Sequence, residues 1–116
     1  MSTPIDRDTL ATWMRAGAAF ELVDTLPAAA YARHHLPGAS HIVSDDIEAE
    51  APRRLPDRDR TVVVYCGSTA CQRSAKAAAR LDALGWHDVR EYVEGRQDWE
   101  AAGLPVATGP DPEGRA

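Results

Sequence analysis

The chain is 116 residues long, the size of a single domain that buries roughly two thirds of the surface exposed by its unfolded form. Its net charge of −5, from 18 acidic and 13 basic residues without a block of Lys or Arg, disfavours nucleic acid and anionic membranes as partners. With no signal-peptide pattern, no apolar run of membrane-spanning length and only two cysteines, the expectation is a cytoplasmic protein without a disulfide framework.

The first predicted elements are a helix over residues 7–16 and a strand over residues 20–24. Apolar side chains recur at helical spacing in the first segment. Asp6 can accept amide N–H groups at the start of this helix, and Gly17 suits a left-handed residue after its end. Both boundaries of the helix are therefore marked by local chemistry.

A short helix is predicted next, over residues 28–33, with Pro27 suited to its first turn. His34 and His35 follow at its end, where a histidine can satisfy the last carbonyl groups. Adjacent histidines point to different sides of a helix, so this pair does not resemble an i, i+4 metal site. A minor strand follows over residues 40–43.

A further helix is predicted over residues 44–51, with Ser44 as its cap and Pro52 closing it. The charged connector 53–60 then leads into a β-branched run at residues 61–65, Thr-Val-Val-Val-Tyr. A continuous run of this kind is typical of a strand buried on both faces of a parallel sheet. It should be the central strand.

The rest of the chain continues the alternation of helix and strand. An alanine-rich apolar stripe predicts a helix over residues 73–84, capped by Gly85. A strand over residues 89–93 precedes a short helix around Trp99 that ends at Gly103. The alternation as a whole predicts an α/β domain with a mainly parallel sheet and right-handed crossovers.

Cys66 directly follows the predicted central strand, and sites in parallel sheets form at the carboxyl ends of the strands. A thiolate is the reactive form of cysteine, and loop amides, a helix N-terminus and a cation such as Arg73 all stabilise it. The small polar segment 67–72 can turn its amides toward a negative sulfur or an anionic substrate. A cysteine here can also be a small buried apolar residue, and position alone leaves both readings open.

Four segments together resemble a single-domain rhodanese-like protein, and the resemblance extends over residues 5–106. They are Leu22-Val23-Asp24, then His35-Leu36-Pro37-Gly38-Ala39, then residues 62–66 with Arg73-Ser74 and residues 77–81 behind them, then Glu94-Gly95 with Trp99 and residues 102–106. The resemblance rests on their order and spacing. It implies a three-layer α/β/α rhodanese-like domain over residues 1–106, and the Gly, Pro and charged residues of 107–116 predict a disordered tail.

The resemblance further implies a sulfurtransferase that needs no cofactor and no metal ion. Cys66 would take a sulfane sulfur from a small donor such as thiosulfate, hold it as a persulfide and pass it to a thiol, a cyanide-like acceptor or a protein. Arg73 would either attract an anionic donor or form a surface salt bridge. The substrate-binding residues would be Gly67, Ser68, Thr69, Ala70, Cys71, Gln72 and Arg73.

Three positions depart from the usual pattern of that family. An arginine commonly stands five positions after the cysteine, whereas Arg73 is seven after Cys66, so the loop is longer or its arginine has a different task. Asp24-Thr25-Leu26 stands where Asp-Val-Arg is frequent, which removes a cation near the site. Glu94 stands where a glycine is usual, so the neighbouring turn can differ.

The second cysteine and three other functions stay open. Cys71 can attack a persulfide or sulfenic acid on Cys66 to give a disulfide, or can be a small residue facing the core. A phosphatase or arsenate reductase needs an arginine six positions after the cysteine, where this chain has Gln72. A catalytically idle rhodanese-fold domain would bind or regulate, and a zinc site would need histidines that are scattered along the chain.

Overall fold

The computed structural model describes residues 2–111, which build a five-stranded sheet in which all paired strands are parallel. Along the sheet the strands are β1 (Thr3–Pro4), β5 (Val89–Tyr92), β4 (Thr61–Tyr65), β2 (Phe20–Asp24) and β3 (Ser40–His41). The helices are α1 (Arg7–Ala16), α2 (Ala28–Arg33), α3 (Ile47–Arg54), α4 (Arg73–Ala83) and α5 (Gly95–Ala101), with a 3₁₀ turn at Ser44–Asp46. The α/β prediction is confirmed, and β4 is the central strand as expected.

The side chains of β4 explain why helices cover both faces of the sheet. Val62 and Val64 are fully buried in a cluster that includes residues of α3 and α4. Val63 and Tyr65 point the other way, into a cluster that includes residues of α1, α2 and α5. Because successive strand residues face opposite sides, one continuous β-branched run supplies apolar surface to both cores. The result is a three-layer α/β/α arrangement.

The prediction that Pro52 closes its helix is wrong, because α3 continues to Arg54. Proline lacks an N–H and therefore removes only one bond of the ladder. The next turn is retained because Leu55 N donates to Ala51 O at 2.7 Å and both of these side chains are buried in the core. Tertiary packing thus outweighs the local signal.

The chain beyond the last helix was expected to be disordered from residue 107, and its described part packs on the domain. Ala107 forms two backbone hydrogen bonds with His35, at 3.0 and 2.8 Å, and Gly109 N donates to Ala32 O. Asp111 accepts from His41 N and from Arg54, each at 2.7 Å. The remainder of the expected tail, residues 112–116, lies outside the described residues.

Candidate active site

Cys66 is the first residue after β4, at the carboxyl edge of the sheet, and none of its surface is exposed. Its backbone is tied to the first turn of α5. Arg96 N donates to the Cys66 carbonyl and Gln97 N donates to the Gly67 carbonyl, each at 2.8 Å. The thiol is therefore held by a fixed backbone rather than by a free loop.

Gly95 makes this close approach of the two backbones feasible. It has a φ of +70°, in the left-handed region, and a Cβ added to it would lie 2.5 Å from the Cys66 carbonyl oxygen and 2.9 Å from the Gly67 carbonyl carbon. Only glycine meets both conditions without displacement of the backbone. The sequence indicated a turn at Glu94-Gly95, but the contact with Cys66 became visible only in the fold.

A hydrogen-bonded chain of two further residues lies behind the thiol. Cys66 Sγ is 3.3 Å from Ser74 Oγ, and Ser74 Oγ donates to Glu91 Oε2 at 2.8 Å. Ser74 is the second residue of α4, and Glu91 lies on β5 beside Val64 of β4. Neither residue was among the predicted site residues, since the sequence marks Glu91 only as an acidic residue within the predicted strand 89–93 and does not indicate its contact with Ser74.

Three hydrogen-bond acceptors lie near the sulfur of Cys66. The Cys71 carbonyl lies 3.5 Å away and the Ser68 carbonyl 4.0 Å away, besides Ser74 Oγ. Burial raises the pKa of the Cys66 thiol, and its hydrogen bond to the Cys71 side chain raises it further, while the hydrogen bond from the Ser74 amide opposes the rise. These surroundings favour the protonated form of Cys66.

Cys71 has the opposite surroundings, since its sulfur receives hydrogen bonds. Its partial burial acts to raise its pKa, but the hydrogen bond from Cys66, those from the amides of Arg73 and Gly67, and the charge of Arg73 together lower it. Its side chain is also less buried than that of Cys66. The first proton that the pair loses therefore leaves Cys71.

The loop of residues 67–72, here the cysteine loop, brings its members to the sulfurs unequally. Gly67 and Ser68 are half-buried, whereas Thr69, Ala70 and Gln72 are exposed. A turn is closed by Cys71 N, which donates to Ser68 O at 3.1 Å. The amides of Gly67 and Arg73 donate to the sulfur of Cys71. The amide of Ser74 donates to the sulfur of Cys66.

A surface cavity of about 340 Å³ opens beside Cys71. It is lined by Ser44, Asp45, Cys71, Gln72, Arg73 and Lys76. Within residues 2–111 neither of its two cations, Arg73 and Lys76, forms an ion pair, and the one carboxylate of the lining, Asp45, pairs with Arg80 instead. An anion that enters this cavity would meet positive charge next to a thiol.

The loop after β2 supports the site from the other side. Asp24 is fully buried and accepts from the Tyr65 hydroxyl and from Leu26 N, each at 2.9 Å. Thr25 donates from its hydroxyl and its amide to the Tyr65 carbonyl, at 2.8 and 3.0 Å. The segment Asp24-Thr25-Leu26 lacks the cation that is frequent there in the family. Arg96 of α5 supplies a positive charge near Asp24 instead, and this charge opposes the rise that burial causes in the pKa of Asp24.

The histidines have partners of their own. His35 Nδ1 lies 2.8 Å from the Tyr31 carbonyl in the last turn of α2, as expected for a histidine after a helix, and His34 Nδ1 lies 2.8 Å from Glu100 Oε1. In residues 2–111 no three His, Cys, Asp or Glu side chains are grouped to hold a metal ion. None of the helices in that range is long and apolar enough to span a bilayer.

Comparison with known proteins places this geometry in a family. The family model described as a rhodanese-like domain matches residues 6–102. The BH2092 protein from Bacillus halodurans is 29% identical, with a TM-score of 0.85 over 92% of this chain and 77% of that one. A structure described as a rhodanese with anions from E. coli is 26% identical, with a TM-score of 0.67 over 78% of this chain and 100% of that one.

A curated relative is larger than this chain. The HTH-type transcriptional regulator Rv0324 of Mycobacterium tuberculosis is 32% identical over 111 residues, which are 94% of this chain. The chain spans 48% of the length of that regulator. The shared part is thus about half of the regulator.

Proposed function

Because the chain belongs to the family of rhodanese-like domains, we propose that it is a sulfurtransferase in which Cys66 carries a sulfane sulfur as a persulfide. One observation supports this most directly. The thiol of Cys66 lies at the carboxyl end of the central strand, fixed by Arg96 N and Gln97 N through the backbone and contacted by Ser74 through the side chain. This is the position in a parallel sheet where chemistry is expected.

The first step moves sulfur from the donor to Cys66. Cys66 gives up its S–H proton to water, and the thiolate attacks the outer sulfur of thiosulfate or of a persulfide. The S–S bond of the donor breaks, and sulfite or a thiolate departs with the electron pair. A nucleophilic acceptor then attacks the outer sulfur of the Cys66 persulfide and returns Cys66 to its starting state.

The cations of the neighbouring cavity support an anionic donor. Arg73 and Lys76 line the cavity beside the thiols, and the chain as a whole is acidic, with a net charge of −5. The positive pair therefore gives the entrance a charge opposite to that of most of the protein. Arg73 is proposed to attract the donor despite its shift to the seventh position after the cysteine.

Sulfur transfer to cyanide tests this proposal. With thiosulfate or a small persulfide as donor, the wild-type protein is expected to form thiocyanate, and Cys66→Ser is expected to lose this activity. Arg73→Gln should raise the KM for thiosulfate more than it lowers kcat, while Arg15→Gln, at an exposed position in the last turn of α1, should leave both unchanged. Absence of turnover with several donors would overturn the enzymatic proposal.

A binding or regulatory role is the second candidate, and the full burial of Cys66 favours it. A thiol with no exposed surface meets a donor only after some movement of the cysteine loop. The similarity to about half of a transcriptional regulator agrees with such a role. A stable persulfide on Cys66 without turnover would support this second candidate over the first.

A further inference from the structure

The two cysteines can carry out a reaction that sulfur transfer to an external acceptor does not require. We propose that Cys71 is a resolving thiol, which attacks the Cys66 persulfide, releases hydrosulfide and leaves a Cys66–Cys71 disulfide. This inference rests on the proposed persulfide at Cys66. It adds a second activity to the same site, the reduction of a sulfane sulfur to sulfide.

The contact between the two side chains supports this role. The Cys71 carbonyl lies 3.5 Å from Cys66 Sγ, and the Cys71 side chain is close enough to raise the pKa of Cys66. Cys66 Sγ, the sulfur beside Cys71, becomes the inner sulfur of the persulfide. Attack on the inner sulfur is the route that gives a disulfide.

The surroundings of Cys71 favour its thiolate, the form of cysteine that attacks a persulfide. Amides of Gly67 and Arg73 donate to its sulfur and the charge of Arg73 acts on it, whereas three hydrogen-bond acceptors lie near Cys66 Sγ. The pKa of Cys71 is accordingly lowered by these contacts against the effect of its burial. A thiolate is the nucleophile in such exchange, so Cys71 is prepared to act on its neighbour.

The step balances in atoms and electrons. The Cys71 thiolate forms a bond to Cys66 Sγ, the bond between Cys66 Sγ and the outer sulfur breaks, and the outer sulfur leaves as hydrosulfide with the electron pair. Two cysteine thiols are oxidised to one disulfide while the sulfane sulfur is reduced to sulfide. A dithiol reductant, small or protein, then reopens the disulfide by thiol exchange.

The cavity provides an exit for the anionic product. Cys71, Arg73 and Lys76 line the same opening, so a hydrosulfide released at the sulfurs leaves past two positive charges. The opening is also where a dithiol reductant could reach Cys71, the less buried of the two sulfurs. Hydrosulfide would thus leave, and the reductant of the disulfide would enter, through the same cavity.

A single-turnover experiment without added thiol tests the inference. Reduced wild-type protein and Cys71→Ser are each loaded with thiosulfate, freed of excess donor, and followed by sulfide assay and intact mass. Cys71→Ser should keep a mass gain of one sulfur and release no sulfide. The wild-type protein should release about one sulfide per loaded chain and end with a mass two hydrogens below its reduced form.

The controls distinguish failure of the inference from failure of the proposed function. Thr12→Ser changes an exposed residue of α1, outside the cysteine loop and the cavity, and should behave as the wild-type protein does. If wild-type protein keeps its extra sulfur as stably as Cys71→Ser, Cys71 is not a resolving thiol, and the persulfide proposal stands. If Cys71→Ser and Cys71→Ala gain no sulfur, the persulfide proposal itself is overturned.

Discussion

Ser74 donates its hydroxyl proton to Glu91 at 2.8 Å, on the side opposite to its 3.3 Å contact with Cys66. A hydroxyl has one proton, and an ionised carboxylate can only accept. The oxygen of Ser74 is then left to accept from the Cys66 S–H. Glu91 therefore holds Cys66 in its protonated form through a residue that lies between them.

Neutralising Glu91 should make Cys66 more reactive at neutral pH. In Glu91→Gln the amide can donate to Ser74, whose proton then turns to the Cys66 thiolate, and a nearby negative charge is removed. The pKa of Cys66 is expected to fall and its alkylation to become severalfold faster. The measurement is the pH dependence of alkylation in a Cys71→Ser background, which isolates one thiol.

Glu21→Gln provides the matched control for this experiment. Glu21 lies near the amino end of β2, where it pairs with Arg60, and it should leave the alkylation profile of Cys66 unchanged. An unchanged profile in Glu91→Gln as well would contradict the role given to Glu91.

The two cysteines should ionise in a definite order. The pKa of Cys71 is lowered by hydrogen bonds and the charge of Arg73, whereas that of Cys66 is raised by burial, so the Cys71 thiolate is present at lower pH. Alkylation of Cys66→Ser, which retains Cys71, should begin at a lower pH than alkylation of Cys71→Ser. The reverse order would show that the loop amides serve Cys66 instead.

Gly95 should tolerate substitution much less well than a glycine of similar backbone conformation. Gly95→Ala is expected to lower the free energy of unfolding by about 2–4 kcal/mol, because a left-handed residue costs ~1 kcal/mol and the new Cβ meets backbone. Gly17 also has a left-handed conformation, with a φ of +67°, but there is open space around it. Gly17→Ala should therefore lower the free energy of unfolding by only about 1 kcal/mol. Urea unfolding of both variants measures the difference.

The variants Gly95→Ala and Gly17→Ala also test whether the backbone contact of Gly95 with Cys66 is needed for the chemistry of the site. Gly95→Ala displaces the backbone of Cys66 and Gly67 and should reduce persulfide formation, while Gly17→Ala should not. Equal costs in stability and unimpaired chemistry in Gly95→Ala would mean that the backbone contact is unimportant.

Asp24 should make stability depend on pH in the acid range. Burial raises its pKa, against the hydrogen bonds from Leu26 N and the Tyr65 hydroxyl, so the folded protein binds this proton more tightly than the unfolded chain does. The stability contributed by the bound proton is complete below the unfolded pKa, about 4, and is lost as pH rises through the folded pKa. Relative to Asp24→Asn, the free energy of unfolding of the wild-type protein should therefore fall with rising pH above about 4 and then level off.

Urea unfolding at a series of pH values measures this dependence. Asp45→Asn, an exposed position on the 3₁₀ turn, serves as the control and should change stability little. A constant difference between wild type and Asp24→Asn across the acid range would contradict the assignment.

Much of the fold could be predicted because its signals are local. The bounds of α1 agree with the prediction, since Asp6 caps it by accepting from Thr9 N at 2.7 Å and Gly17 ends it with a left-handed conformation. β1 was missed because a strand of two residues, Thr3–Pro4, has no pattern of its own and is defined by its pairing with β5. Elements with caps or periodicity are thus predictable, and elements defined by their partners are not.

The site could be predicted only in part for the same reason. Cys66 was identified from its place after an apolar run, and the short separation of the two cysteines indicated that Cys71 lies nearby. The division of the loop amides between the two sulfurs depends on how the loop folds back. Glu91 accepts a hydrogen bond from Ser74 only because β5 pairs with β4 and α4 packs beside them. No local sequence pattern predicts this contact.

Intact-protein mass spectrometry of Cys71→Ser after incubation with thiosulfate or a persulfide donor measures whether Cys66 forms a persulfide. We expect a mass gain of one sulfur atom on Cys66, removed by cyanide or by a thiol and absent when Cys66 is also replaced by serine. No gain with any of several donors, or a gain that persists without Cys66, would contradict it.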